Sequence, residues 1–193
     1  MTYLPLFKMP KPMKITGRSS SITNSFINSI IPVVLPTEEQ VKEALSILDL
    51  LEKYQCSYCG AVATEWDHLR PLVVNKKPTG YISEIHNLVP SCGKCNQSKG
   101  NRYWKDWILS DAKLSPKTKE IPDLSERIKR LEEYEKWAIP TKIDFEVLVG
   151  NELWNQHWSN WEKILDAMVE SQKTAELINK KVEMQYKETE TRN

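Results

Sequence analysis

Cys56–Lys105 reads CSYCGAVATEWDHLRPLVVNKKPTGYISEIHNLVPSCGKCNQSKGNRYWK, and its spacing decides the fold of the chain around it. All four cysteines of the protein lie here as two C-x2-C pairs, Cys56/Cys59 and Cys92/Cys95. Two intervening residues allow a tight turn that aims both sulfurs of a pair the same way. Two such knuckles can therefore offer four thiolates to one tetrahedral zinc ion. The alternatives are four unligated buried thiols or two disulfides; two knuckles in an otherwise cysteine-free chain favour the metal. The 32 residues between Cys59 and Cys92 exceed the usual zinc-ribbon spacing, so a further element is inserted between the knuckles.

That insert contains Asp67-His68 and Asn87-Leu88, and Asn96 and Lys99 follow close behind. Taken singly, these residues have bland readings. Asp67 suits a surface turn, His68 a satisfied histidine beside Trp66, and the asparagines a turn and a helix cap. As an ordered set they resemble the HNH nuclease family, the ββα-metal or His-Me finger fold. That pattern runs C-x2-C, Asp-His near the end of the first strand, Asn-Leu, then C-x2-C followed by His or Asn, with a nearby lysine. Cys56-x2-Cys59, Asp67-His68, Asn87-Leu88, Cys92-x2-Cys95-Asn96 and Lys99 meet it in order, over about fifty of the 193 residues. One position departs: the third signature residue is Asn96 rather than histidine. A carboxamide oxygen suits a hard cation, so Mg2+ or Mn2+ is expected there.

The resemblance implies roles for these residues. Asp67 and Asn96 would hold the catalytic metal, His68 would be the base, and Asn87 would pin the loop that aims the histidine ring. Cys56, Cys59, Cys92 and Cys95 would hold structural Zn2+. The chemistry agrees with this. Phosphodiester hydrolysis needs a base to deprotonate water and positive charge to stabilise the crowded phosphorus centre and the leaving oxygen. An imidazole titrates near neutrality and can be that base. Neighbours on a strand point to opposite sides, so a twist or bulge is expected if Asp67 and His68 serve one phosphate. Asn96 is expected to open the helical element, with Lys99 three residues on, facing the phosphate. His86, beside Asn87, reads as structural or phosphate-facing.

Charge is distributed unevenly. Asp67–Trp107 holds seven basic residues (Arg70, Lys76, Lys77, Lys94, Lys99, Arg102, Lys105) against three acidic ones (Asp67, Glu84, Asp106), in a chain of net charge +1. A local surplus of this kind suits a phosphate-facing surface, with Lys99, Arg70, Lys76, Lys77 and Arg102 as candidate DNA contacts. Asn75–Gly80 reads as the hairpin turn between the two strands of the nuclease unit. From Ile108 to Asn193 the balance reverses, 14 basic against 17 acidic residues.

Outside this core, residues 1–36 form a basic arm with Lys8, Lys11, Lys14 and Arg18, no acid, and five prolines that argue against a long helix. Its apolar Ile22, Phe26, Ile27, Ile30 and Ile31 equally suit a strand-forming extension packed on the core. Thr37 with Gln40 reads as a capping box opening a helix that runs to Tyr54. Leu109–Pro122 reads as a linker, followed by helices over Leu124–Trp137 and Asn151–Tyr186. The second carries a Trp154/Trp158/Trp161 stripe, a core or dimer contact more often than a DNA-stacking surface. The chain lacks a run of about twenty apolar residues, and its N-terminus has no apolar signal segment. With cysteines placed for metal, a cytoplasmic setting is expected.

The sequence thus predicts an α+β protein with a basic arm (1–36), a helix plus a zinc-stapled ββα core (37–107), and a helical region (108–193) for dimerisation or DNA contact. The expected function is a metal-dependent endonuclease on double-stranded DNA, in the manner of a homodimeric type II restriction enzyme leaving 5′-phosphate and 3′-hydroxyl ends. The rivals are a homing or phage-type nicking endonuclease and a zinc-held DNA-binding module that does not cut.

Overall fold

The computed structural model describes residues 6–190. Its elements in chain order are α1 (Ser19–Asn28), α2 (Glu38–Ile47), β1 (Glu65–His68), β2 (Val73–Val74), β3 (Lys77–Pro78), β4 (Leu88–Ser91), α3 (Gly93–Lys99), α4 (Trp104–Ile108), α5 (Leu124–Trp137), α6 (Phe145–Val149) and α7 (Asn151–Glu190). The expected mixture of helices around a small sheet is observed. The chain divides into two units, one of Phe26–Val149 and one formed by residues 1–25 with residues 150–193.

In the first unit the sheet is the antiparallel pair β1–β4, in register Glu65↔Ser91, Trp66↔Pro90, Asp67↔Val89 and His68↔Leu88. Helix α3 leaves directly from the second knuckle, completing a ββα unit. Its hydrophobic core gathers Leu50, Tyr58, Leu69, Val89, Trp104, Trp107, Leu131 and Tyr134, all nearly inaccessible to water. Helix α5 braces the unit at two points. Arg127 donates from Nη1 to the Cys56 carbonyl at 3.1 Å, and the Tyr134 hydroxyl sits 2.7 Å from the Leu88 carbonyl at the start of β4.

Several expectations change in detail. The capping box is present: Gln40 N–H donates to Thr37 Oγ1 at 3.2 Å and Thr37 N–H to Gln40 Oε1 at 2.9 Å. Helix α2 nonetheless stops at Ile47 rather than Tyr54. Asp49 adopts the left-handed conformation (φ 56°), and the 2.8 Å bond from Leu50 N–H to the Leu45 carbonyl closes a Schellman motif that turns Leu50 into the core. The arm contains helix α1 because its prolines bracket a proline-free run, and Ile27 and Ile31 are buried at its end. The turn expected over Asn75–Gly80 is shorter. Asn75 and Lys76 (φ 51° and 62°) form a two-residue turn within the small β2–β3 hairpin, whereas the site-bearing pair is β1–β4.

In the other unit, the tryptophans of α7 pack on one another. Trp154 and Trp161 meet Trp158 edge to face with centroids 5.5 and 5.8 Å away. Trp161 Nε1 donates to Thr23 Oγ1 at 3.0 Å. This is packing within the unit, the first of the two readings of the stripe.

Candidate active site

The four cysteines, far apart in sequence, converge so that their sulfurs lie within 4.8 Å of one another, and none is in a disulfide. The Cys59 and Cys92 sulfurs are 3.8 Å apart. A tetrahedron of thiolates at the usual Zn–S bond length has an edge of roughly 3.8 Å, so the cluster fits a zinc ion. The electrostatics fit too. Hydrogen bonds from Cys59 and then Cys95 hold the Cys56 thiol far below its usual range, while the same contacts push Cys95 far up. Sulfurs this close resist ionising together unless a cation compensates their charge.

Strand β1 leads from the first knuckle to Asp67 and His68 without a bulge, so the two side chains leave the strand on opposite faces. The bulge expected from sequence is not observed. Asp67 is buried and accepts from the Tyr58 hydroxyl at 2.6 Å and from Lys99 Nζ at 3.2 Å. Lys99 is itself only 1% exposed, so its ammonium meets Asp67 instead of the surface on which a phosphate contact was expected. Burial pushes the Asp67 carboxyl up, opposed by the Lys99 charge, and burial likewise pulls Lys99 down, opposed by Asp67.

Asn96 lies one turn into α3, which begins at Gly93, rather than at its opening. Its Nδ2 donates to Glu65 Oε2 at 3.0 Å. Glu65 and Asp67 share one face of β1, and Asn96 and Lys99 share one face of α3, so strand and helix are joined by two polar contacts side by side. Glu65 was not singled out from the sequence; its two-residue offset from Asp67 was the available signal. With the Asn96 amide nitrogen turned to Glu65, its carboxamide oxygen stays available as a donor, while both Asp67 oxygens are engaged by Tyr58 and Lys99. A carboxamide and a carboxylate oxygen are the donor types that suit a hard divalent cation.

On the other face, His68 Nε2 lies 2.8 Å from Ser83 Oγ. Burial and then the Lys99 charge push the His68 pKa down from 6.5 to about 4. The ring is therefore neutral at physiological pH, the state a proton acceptor requires. This has a consequence for folding. Between pH 6.5 and about 4 the unfolded chain binds a proton that folded His68 refuses, so stability falls as pH drops through that window. Thermal melting against pH should show this acid limb in the wild type and a shallower one in His68→Gln. Equal limbs would remove His68 as its source.

Asn87 is fully buried and clamps the chain after β1: Oδ1 accepts from Arg70 N–H at 2.8 Å and Nδ2 donates to the Arg70 carbonyl at 3.1 Å. The Leu69 N–H bond to the Asn87 carbonyl, 2.8 Å, closes the same loop behind His68. His86 turns away and packs edge to face on Trp137 at 4.7 Å. Of the candidate DNA contacts, Lys76 and Lys77 are exposed at the β2–β3 hairpin. Arg102 is exposed but folds back onto the Ser98 and Lys99 carbonyls, and Arg70 pairs with Glu135 at 3.3 Å.

Comparison with known proteins agrees with this geometry. Residues 56–102 match the family model described as HNH endonuclease. Over 57 residues, 28% of this chain, the sequence is 40% identical to the CRISPR-associated endonuclease Cas9 of Corynebacterium diphtheriae. The chain spans 5% of that protein's length. No solved structure matches the chain. Residues 56–102 thus match an HNH endonuclease domain and carry a cysteine cluster that could bind a metal ion.

Proposed function

We propose that this chain is a metal-dependent DNA endonuclease in which His68 is the general base. The observation that supports the reading is the buried, neutral imidazole of His68, held at Ser83 within the segment that matches the HNH endonuclease model. Asp67 and Asn96 would hold Mg2+ or Mn2+, and Cys56, Cys59, Cys92 and Cys95 would hold Zn2+. A cation held there would offer positive charge to the phosphate oxygens and the leaving oxygen. The protein's own groups do the rest. Ser83 holds the His68 ring, Asn87 fixes the backbone that follows it, and the imidazole accepts the proton of the attacking water. Glu65 keeps the Asn96 carboxamide oriented, and the Lys99 charge opposes the protonation that burial favours at Asp67. Lys76, Lys77 and Arg102 contribute to the surface that meets the DNA backbone, and the ends produced are 5′-phosphate and 3′-hydroxyl.

The finer form of the proposal is a type II restriction endonuclease. One chain offers one such site, so cutting both strands of a symmetric sequence calls for a second copy. Incubating plasmid with the purified protein and Mg2+, Mn2+ or neither tests both levels. Discrete linear fragments that require the cation are expected. Nicked circles alone would favour the nicking alternative, and bound but uncut DNA under every condition would leave the non-cleaving module.

A further inference from the structure

Beyond the Asp67/His68/Asn96 centre, the loop Gly80–Glu84 next to His68 is joined to a segment outside the HNH match. Ile143 N–H donates to the Gly80 carbonyl at 2.8 Å, Tyr81 bridges Lys142, and Thr141 holds both carboxylate oxygens of buried Glu84. Gly80 is required for this approach: it sits at φ +96°, and a Cβ there would lie 2.8 Å from the Ile143 carbonyl oxygen. Residues 141–143 are thus pinned by backbone and side-chain bonds.

The pinning places Lys142 Nζ 5.5 Å from the centroid of the Tyr81 ring, which also receives the Arg70 guanidinium at 5.9 Å. Two contacts fix where this ring stands. His68 meets Ser83, and Arg70 meets Tyr81, so residues two apart on one segment meet residues two apart on the other. Tyr81 thus stands in the same short segment, two residues from the Ser83 that holds the His68 ring. Arg70 is largely covered and shares its charge with Glu135. Lys142 is exposed and joins no ion pair among the described residues.

We propose that Lys142, seated on the Tyr81 ring, is a contact site for a backbone phosphate flanking the one presented to His68. A lysine tip held by an aromatic face loses less freedom on binding than one on a free stem, and a phosphate is the anion this surface meets during cleavage. The inference rests on the nuclease reading and extends it to residues beyond 102.

The test is duplex binding by the full chain carrying His68→Ala, with a fluorescent mixed-sequence duplex, over a series of salt concentrations. Lys142→Gln should reduce the slope of log K against log salt by about 1, and Lys142→Arg should restore it. Lys129→Gln on α5 should leave the slope as it was. Zinc content and melting temperature verify that each variant is folded. An unchanged slope in Lys142→Gln, or an equal fall in Lys129→Gln, overturns the site while duplex binding leaves the nuclease reading standing. A wild-type chain that neither binds nor cuts DNA overturns both.

Discussion

Removing the ion from the Cys56/Cys59/Cys92/Cys95 cluster is expected to unfold the ββα unit rather than merely silence it. Cys56, Cys92 and Cys95 are core residues, packed with Tyr58, Val89 and Trp107, and the sheet that follows the first knuckle is the two-stranded β1–β4 pair. A pair of four-residue strands is not stable alone in water. Structural zinc contributes on the order of 10 kcal/mol in small domains, comparable to the whole net stability of an ordinary one. Cys95→Ser should therefore yield protein without stoichiometric zinc, with loss of near-ultraviolet tryptophan signal and of cleavage. Cys59→Ser, at the less buried corner, should weaken zinc retention with a smaller loss of structure. The decisive control separates the two ions. A brief chelation that removes only the hydrolytic cation should be reversed by Mg2+, whereas zinc loss should need refolding with zinc. Native melting behaviour after complete removal of zinc would refute the structural role.

What was legible beforehand follows from range. The knuckle spacing, the Thr37 cap and the Leu124–Trp137 helix are local patterns, and each stands where the sequence placed it. The end of α2 escaped because the left-handed C′ position is filled by Asp49, where glycine is the usual signal. Helix α1 is hard to read because prolines crowd the arm on both sides of it, although none lies between Pro12 and Pro32. The electrostatic arrangement was harder still. Lys99 reads as a surface cation one turn after Asn96, yet it meets Asp67 across 32 residues of sequence, and no periodicity encodes that pairing. Glu65 and Tyr58 likewise acquire their meaning only when β1 lies against α3 and the first knuckle. The identity of the chemistry was visible in residue types; the partners that tune it were not.

His68→Ala is the substitution expected to cost the most activity with the least damage to the fold. A positioned base contributes roughly 10²–10⁴-fold, and the other imidazole of this unit, His86, is turned onto Trp137. Zinc content and DNA binding should persist, because His68 touches neither the sulfur cluster nor the core beneath β1. Ser83→Ala should give a smaller loss, as the ring keeps its burial but not its hydrogen bond. His86→Ala should leave cleavage near wild type. The ordering of these three variants is more informative than any one of them. If Asp67, buried and already engaged by Tyr58 and Lys99, were the proton acceptor instead, His68→Ala would cut normally and Asp67→Asn would fail alone. If His68 acts as proposed, both fail, but only His68→Ala still shows the wild-type dependence of DNA binding on Mg2+.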